Sequence, residues 1–136
     1  TMTSTTAETK TLSILTPVSK ADGTVVFASG SPSVANSTIT ATGPVVANGV
    51  ATSTITITLR DNTNAPVVSV VPTFTATGTN NTYNSCSATN TSGISTCTMT
   101  STRAEGKTVS IATPIVKAGD TITFTAGPAS ASTSTI

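Results

Sequence analysis

The sequence contains no histidine and no tryptophan, and only 8% of its 136 residues are charged. Without histidine, the Ser-His-Asp and Cys-His arrangements of hydrolases are excluded, and a zinc site lacks its usual ligands. The formal net charge is +1, which offers no basic patch for nucleic acid or for an anionic membrane surface. No run of 18 apolar residues is present, so this segment is not expected to insert into a membrane.

The few acidic residues are not placed for catalysis. They are Glu8, Asp22, Asp61, Glu105 and Asp120, and they are scattered rather than paired as in a glycosidase. The stretch from Asp61 to Asn64 has some likeness to a calcium loop, but no second acid follows, and an ordinary turn is favoured. A Lys–Asn cross-link at Lys107 is a minor alternative, since nothing marks the buried acid that it requires. The sequence therefore predicts no cofactor and no enzyme.

Only two cysteines are present, Cys86 and Cys97, and they flank a turn at residues 90–93. Strand alternation places Cys86 on one face with Ala88 and Cys97 on one face with Met99, so both thiols are expected to point inward across a hairpin. A disulfide is favoured over a pair of free thiols. Such a bond implies an oxidising compartment.

Threonine, in contrast, supplies 34 residues, and its β-branched side chain suits the solvent face of a strand. The segment 51–60 alternates most clearly, and seven or more such segments are separated by turns every 8–12 residues. This pattern is typical of a β-sandwich. Residues 85–89 and 94–101 are expected to pair as strands, whereas residues 78–84 read as a polar loop. The predicted core consists of Ile55, Ile57, Leu59, Phe74, Val109, Ile111 and Phe124.

Residues 1–39 and residues 98–136 are copies of each other. They align without a gap at an offset of 97, and comparison of the two segments gives identity at 22 of 39 positions. A period of about 97 residues is the size of a domain. We therefore interpret 1–33 as the closing part of a preceding repeat plus a linker, 34–130 as a complete repeat and 131–136 as the start of the next. A duplication without functional meaning is the alternative.

Short proline-containing segments mark the two predicted boundaries, and such linkers should be semi-rigid. They are Gly30, Ser31, Pro32 and Ser33 at the first boundary, and Gly127, Pro128, Ala129 and Ser130 at the second.

The first 30 residues form a predicted assembly segment. Its apolar residues Leu12, Ile14, Val25 and Phe27 match the predicted inward positions Val109, Ile111, Ile122 and Phe124 of the complete repeat. Without the strands that precede them in a repeat, they would expose an apolar face and unpaired strand edges. We expect this segment to be β-structured only beside a complement. Preceding residues of the same polypeptide or strands of another subunit are the two possible sources.

Three sequence blocks of the complete repeat carry a family resemblance. The first begins at Ala47-Asn48-Gly49-Val50 and runs through the alternating strand to the turn at residues 64–67. The second joins residues 89–93 to residues 97–101, and the third is residues 104–109. In this order they resemble the bacterial immunoglobulin-like domain, group 1 (Big-1), of the invasin and intimin type. The close cysteine pair and the missing tryptophan depart from antibody domains.

The resemblance implies an all-β, immunoglobulin-like antiparallel β-sandwich in tandem arrays that carry adhesive tips away from bacterial surfaces. We therefore predict an extracellular structural module of an adhesin stalk or filament. Its partners would be neighbouring repeats or identical subunits, arranged head to tail. The alternative is a module that itself binds a glycan or receptor, for which Tyr83 is the one exposed aromatic candidate.

Overall fold

The computed structural model describes residues 1–14 and 20–129. Within this part of the chain every regular element is a strand, and there is no helix that could cross a membrane. The strands are β1 (Glu8–Ile14), β2 (Lys20–Phe27), β3 (Thr38–Ala41), β4 (Val45–Val46), β5 (Ser53–Thr58), β6 (Thr73–Ala76), β7 (Asn81–Tyr83), β8 (Ile94–Ser101), β9 (Gly106–Thr113) and β10 (Lys117–Thr125).

Strands β3 to β10 form two four-stranded sheets that face each other. The orders are β3-β5-β8-β7 and β4-β10-β9-β6, and β1 pairs only with β2 in a separate hairpin. An immunoglobulin domain has its first, second, fifth and fourth strands in one sheet and its third, sixth and seventh in the other. Strands β3, β5, β8, β7 and β6, β9, β10 reproduce that arrangement, and β4 adds a parallel partner to β10. The predicted immunoglobulin-like sandwich is confirmed.

Apolar and polar side chains alternate along the strands, and this explains why each sheet has one buried face. In β5, Ile55 and Ile57 are fully buried, while the intervening threonines face outward. Their neighbours in β8 follow the same rule, because Ile55 lies opposite Cys97 in the antiparallel ladder. The buried apolar cluster comprises Ile39, Ile55, Ile57, Leu59, Val67, Phe74, Cys97, Met99, Val109, Ile111, Ile122 and Phe124. All seven predicted core residues belong to it.

Two strands form where the sequence does not predict them. Residues 81–83, expected within a polar loop, form the edge strand β7, which hydrogen-bonds to the end of β8. Val45 and Val46 form the two-residue strand β4 beside β10. Both are short edge strands whose positions depend on neighbours far away in the sequence, so their local patterns carry little signal.

The segment 85–89, expected as a regular strand, runs beside β8 without forming a continuous ladder. The Ser87 amide donates a hydrogen bond to Thr96 O (3.0 Å), as in a regular ladder. The Thr96 amide, however, donates to the Ser87 hydroxyl (3.1 Å), and Ser95 Oγ donates to Ser87 O (2.6 Å). Side-chain oxygens thus replace part of the backbone pairing. Ala88 is exposed rather than inward, so the predicted phase is wrong at that position.

Truncation of Phe74 tests the core. Its ring is 93% buried (7% exposed) and meets the Tyr83 ring edge to face at a centroid distance of 5.3 Å. We expect Phe74→Ala to lower the free energy of unfolding by about 3–5 kcal/mol, because it leaves a cavity between the sheets. Denaturant unfolding measures this, with Val50→Ala as a control on a side chain that is 79% exposed. A loss below about 1 kcal/mol would contradict the packing described above.

Candidate functional site

The hairpin β1–β2 has the same strand register as β9–β10. Lys10 lies opposite Val25, and at the offset of 97 Lys107 lies opposite Ile122. Likewise, Ile14 pairs with Lys20 as Ile111 pairs with Lys117. Both hairpins also interrupt their ladders at equivalent places, next to Ala21 and Ala118. Equivalent sequences therefore build equivalent hairpins at the two ends of the chain.

The two hairpins differ in how deeply their apolar side chains are buried, although their strand registers are the same. Leu12 and Ile14 are 41% and 56% exposed, whereas their equivalents Val109 and Ile111 are fully buried. Val25 and Phe27 are half-buried, but Ile122 and Phe124 lie in the core. The difference arises because β9–β10 faces β3, β5 and β8 across the sandwich. Among the described strands, β1 and β2 make substantial contact only with each other.

Strands β1 and β2 form with no complementary strand among the described residues, contrary to the expectation that residues 1–30 need one for β-structure. Two antiparallel strands satisfy each other's backbone groups along their shared edge, and this is sufficient for strand geometry. The apolar face remains to be covered. We call the surface formed by Leu12, Ile14, Val25 and Phe27 the open face.

The linker after the hairpin is bound to the sandwich at several points. Val68 N donates to Ser29 Oγ (3.3 Å), and Ser33 N donates to Arg60 O (2.7 Å). Lys117 Nζ donates to Val34 O (2.7 Å) just beyond the linker. These bonds join the linker and its flanking residues to the loop after β5 and to the first residue of β10, so the segment follows the surface of the domain.

Gly30 is the tightest point of this joint. A Cβ added there would lie 2.9 Å from Asp61 Cβ and nearer still to Asp61 Oδ2. At the second predicted linker, a Cβ added to Gly127 would make only an ordinary contact, at 3.6 Å from Val46 Cγ1. Pro128 and Ala129 are exposed, and Ser130 lies outside the described residues, as does the predicted start of the next repeat.

Asp61 folds the loop against which Gly30 packs. Its Oδ1 accepts hydrogen bonds from Thr63 N (2.9 Å), Thr63 Oγ1 (2.7 Å) and Ala65 N (2.9 Å). These bonds, from the Thr63 hydroxyl above all, lower the pKa of the Asp61 carboxyl. The arrangement is the Asx-type turn that the sequence favours. Nowhere in the described ranges do three metal-binding side chains come together.

Lys107 is the one charged side chain that the sandwich buries completely among the described residues. Its amine donates hydrogen bonds to Thr79 O (2.8 Å) and to Glu105 Oε1. The same Glu105 oxygen accepts a hydrogen bond from Thr79 N (2.9 Å). The Lys107 amine, followed by the Thr79 amide, lowers the pKa of Glu105 to about 2. The equivalent Lys10 pairs with Glu8 at 3.0 Å, but its side chain is 41% exposed. Both copies thus carry the ion pair, and the complete unit buries its lysine.

Tyr83 is engaged in the domain's own structure. Its hydroxyl donates to Ala76 O (3.3 Å) and accepts from Ala76 N (3.2 Å), which joins β7 to β6. One ring edge meets Phe74, although 42% of the residue is exposed beside a shallow groove of about 210 Å³. Through these contacts Tyr83 links the two sheets where β7 lies beside β6.

Cys86 and Cys97 form the predicted disulfide, with a Cα–Cα distance of 4.3 Å. Cys97 lies in the core, and Cys86 packs against it from the edge of the sheet. The turn between them depends on Asn90, whose Oδ1 accepts from Ser92 N (2.9 Å) and Ile94 N (3.0 Å). The bond therefore fixes the irregular segment before the turn onto β8, where backbone pairing is incomplete.

Removal of the disulfide should weaken the sandwich. The bond closes a loop of 11 residues, and loops of that size contribute about 2–3 kcal/mol by restricting the unfolded chain. We expect the Cys86→Ala/Cys97→Ala variant to lose about that much in denaturant unfolding. Reduction of the parent protein serves as the matched comparison. Detection of two free thiols in unfolded, unreduced protein would contradict the pairing.

Acid should destabilise the domain through Glu105. Its folded pKa of about 2 lies below the usual 4.5, so the unfolded chain binds more protons between these values. The free energy of unfolding should therefore be highest above pH 4.5 and fall as the pH is lowered toward 2. Glu105→Gln should reduce this slope and also destabilise the protein at neutral pH, because the buried Lys107 amine loses its counter-ion. If the pH dependence of the free energy of unfolding is unchanged in Glu105→Gln, the low pKa of Glu105 is contradicted.

Searches with protein-family models and with curated protein sequences gave no match. Solved structures do match. InvD from Yersinia pseudotuberculosis covers 96% of this chain at 19% identity and a TM-score of 0.77, and the match takes 41% of that chain. Invasin, described as a bacterial integrin-binding protein, covers 93% at 22% identity and a TM-score of 0.66, over 26% of its length.

The adhesin InvE from Yersinia pseudotuberculosis covers 72% of this chain at 31% identity and a TM-score of 0.53, over 28% of its own length. The chain thus spans less than half of each of these structures. The matches to InvD and invasin are long enough to include the hairpin β1–β2 together with the sandwich. The resemblance to the invasin- and intimin-type domain is confirmed at the level of the fold, and the chain has the immunoglobulin-like fold of these bacterial adhesin domains.

Proposed function

We propose that this chain is a segment of a tandem array of immunoglobulin-like units that forms the stalk of a bacterial adhesin or an extracellular filament. In this role each unit is a spacer, and its partners are the units before and after it. Residues 34–130 supply one complete unit, and residues 1–33 supply the closing hairpin and linker of the unit before. The function is structural and consists of holding an adhesive element away from the cell.

The observation that carries the proposal is the pair of equivalent hairpins with unequal burial. Lys10, Leu12 and Ile14 occupy the same register positions as three residues that are fully buried in the complete unit. A hairpin with this inner face needs an opposing sheet of the kind formed by β3, β5, β8 and β7. In the complete unit, β3, β5, β7 and the first half of β8 precede the sequence TMTST at residues 98–102, and the same sequence occurs at residues 1–5, shortly before the hairpin β1–β2.

The matched solved structures support a role in cell adhesion, since invasin is described as an integrin-binding protein and InvE as an adhesin. A disulfide in a small domain is typical of proteins outside the reducing cytosol. The engagement of Tyr83 by Ala76 and Phe74 favours the spacer over a unit that itself binds a glycan. We therefore place the chain at the cell surface, with the adhesive contact made elsewhere in the protein.

Completion of the first unit can be tested with the chain's own sequence. Residues 34–97 placed directly before Thr1 reproduce the order of a full repeat, because Thr1 is the equivalent of Thr98. In this two-unit protein, a new sheet should cover the open face and bury Lys10. We expect the Lys10 amine to react readily with an amine-directed reagent in the 136-residue chain and to be strongly protected in the two-unit protein, as measured by peptide mass spectrometry.

Lys107 is the matched control, because it is fully buried in the complete unit and should be protected in both proteins. A second control appends residues 34–97 in scrambled order, which adds the same composition without the sheet. Lys10 should remain reactive in that protein. If Lys10 reacts equally in the chain and in the correctly ordered two-unit protein, residues 1–30 are not the end of a preceding unit.

A further inference from the structure

We propose that the joint between successive units is fixed rather than flexible, and that Gly30 seated on the Asp61 turn sets the angle between them. The interaction surface is the loop from Asp61 to Pro66 at the leading end of each sandwich. The partner is the base of the closing hairpin of the unit before it. This inference rests on the tandem arrangement proposed above and adds how the units are oriented.

The first argument is the shape of the contact. Gly30 approaches Asp61 so closely that any Cβ would collide with both the Cβ and the carboxylate of that residue. The carboxylate has little freedom to move aside, because Oδ1 is held by the three hydrogen bonds from Thr63 and Ala65. The Asp61 carbonyl is held as well, by Asn36 Nδ2 at 2.7 Å. The turn is therefore a rigid seat that accepts only glycine at this distance.

The second argument is that the linker is fastened on both sides of Gly30. Ser29 is bonded to Val68 before the glycine, and Ser33 is bonded to Arg60 after it. Ser37 strengthens the attachment at Arg60. Its Oγ donates a hydrogen bond to Arg60 O (3.2 Å) and accepts one from Arg60 N (3.1 Å). Only residues 30–32 lie between the attachments. A segment this short, with Pro32 in it, leaves little freedom for rotation between units.

The third argument is the cleft that the joint encloses. A space of about 250 Å³ lies between the hairpin base and the Asp61 turn, and its lining is mainly polar. The hairpin contributes residues 4–7 and 26–30, and the sandwich contributes Asp61, Thr63, Ala65 and Pro66. Both elements thus face each other across the joint over a wider area than the linker alone. The repeat carries glycine at the same place again, as Gly127, where the next unit would begin.

The angle can be measured by distances between spin labels in the two-unit protein described above. Thr24→Cys in the hairpin and Thr75→Cys in the following sandwich place a nitroxide on each side of the joint, at exposed strand positions. The native cysteines should not react, because each of the two copies of residues 34–97 carries its own Cys86–Cys97 disulfide. We expect one narrow distance distribution for this protein. Gly30→Ala should broaden or shift it, because the added Cβ cannot fit on the Asp61 turn.

Gly127→Ala is the matched control, because it makes the same substitution at the equivalent place, where an added Cβ meets only Val46 at an ordinary distance. It should leave the distribution unchanged. A broad distribution in the parent protein, or identical distributions for Gly30→Ala and Gly127→Ala, would overturn the fixed joint. Lys10 protection measured on the same samples separates the two proposals. A protected Lys10 with a broad distribution rejects the joint alone, whereas a reactive Lys10 rejects the tandem arrangement.

Discussion

A β-sheet with one apolar face is stable only when another layer of structure covers that face. This requirement governs the part of the chain that the structure describes, because two hairpins there have an apolar inner face and the sheet β3-β5-β8-β7 covers one of them. The hairpin β9–β10 buries its inner residues against β3, β5 and β8, and the domain's core lies between them. The hairpin β1–β2 has apolar residues at the equivalent inner positions, and within the described residues no second sheet covers them. The proposed unit boundaries at the two linkers rest on this difference.

Much of this organisation is readable from the sequence because it depends on local periodicity. In β5, isoleucine alternates with threonine, which identifies both the strand and its buried face without knowledge of any partner. The disulfide is predictable from another local signal, since Cys86 and Cys97 lie on either side of a turn that contains Asn90 and Gly93. The repeat itself is visible because rare residues such as Met2 and Met99 recur at one offset.

Other features depend on contacts between distant segments, and the sequence alone does not specify them. Strand β4 has two residues and exists because β10 lies beside it. Lys107 stands at an inward position that would usually be apolar, and it is tolerated there because Glu105 and the Thr79 carbonyl satisfy its amine. The contact of Gly30 with Asp61 joins a linker to a loop 31 residues further on. In each case the cause is tertiary packing rather than local propensity.

The parallel pairing of β4 with β10 has a mechanical consequence for the proposed tandem array when that array is pulled from its ends. Val45 lies beside Phe124 and Val46 beside Thr125, and Ala47 N adds a hydrogen bond to Thr125 O (2.8 Å). A pull on the array acts backwards on β4, through the chain that precedes it, and forwards on β10, through the chain that follows. Because the strands run in the same direction, they must slide along each other to separate. The pulling force therefore shears these hydrogen bonds together instead of opening them one by one from an end.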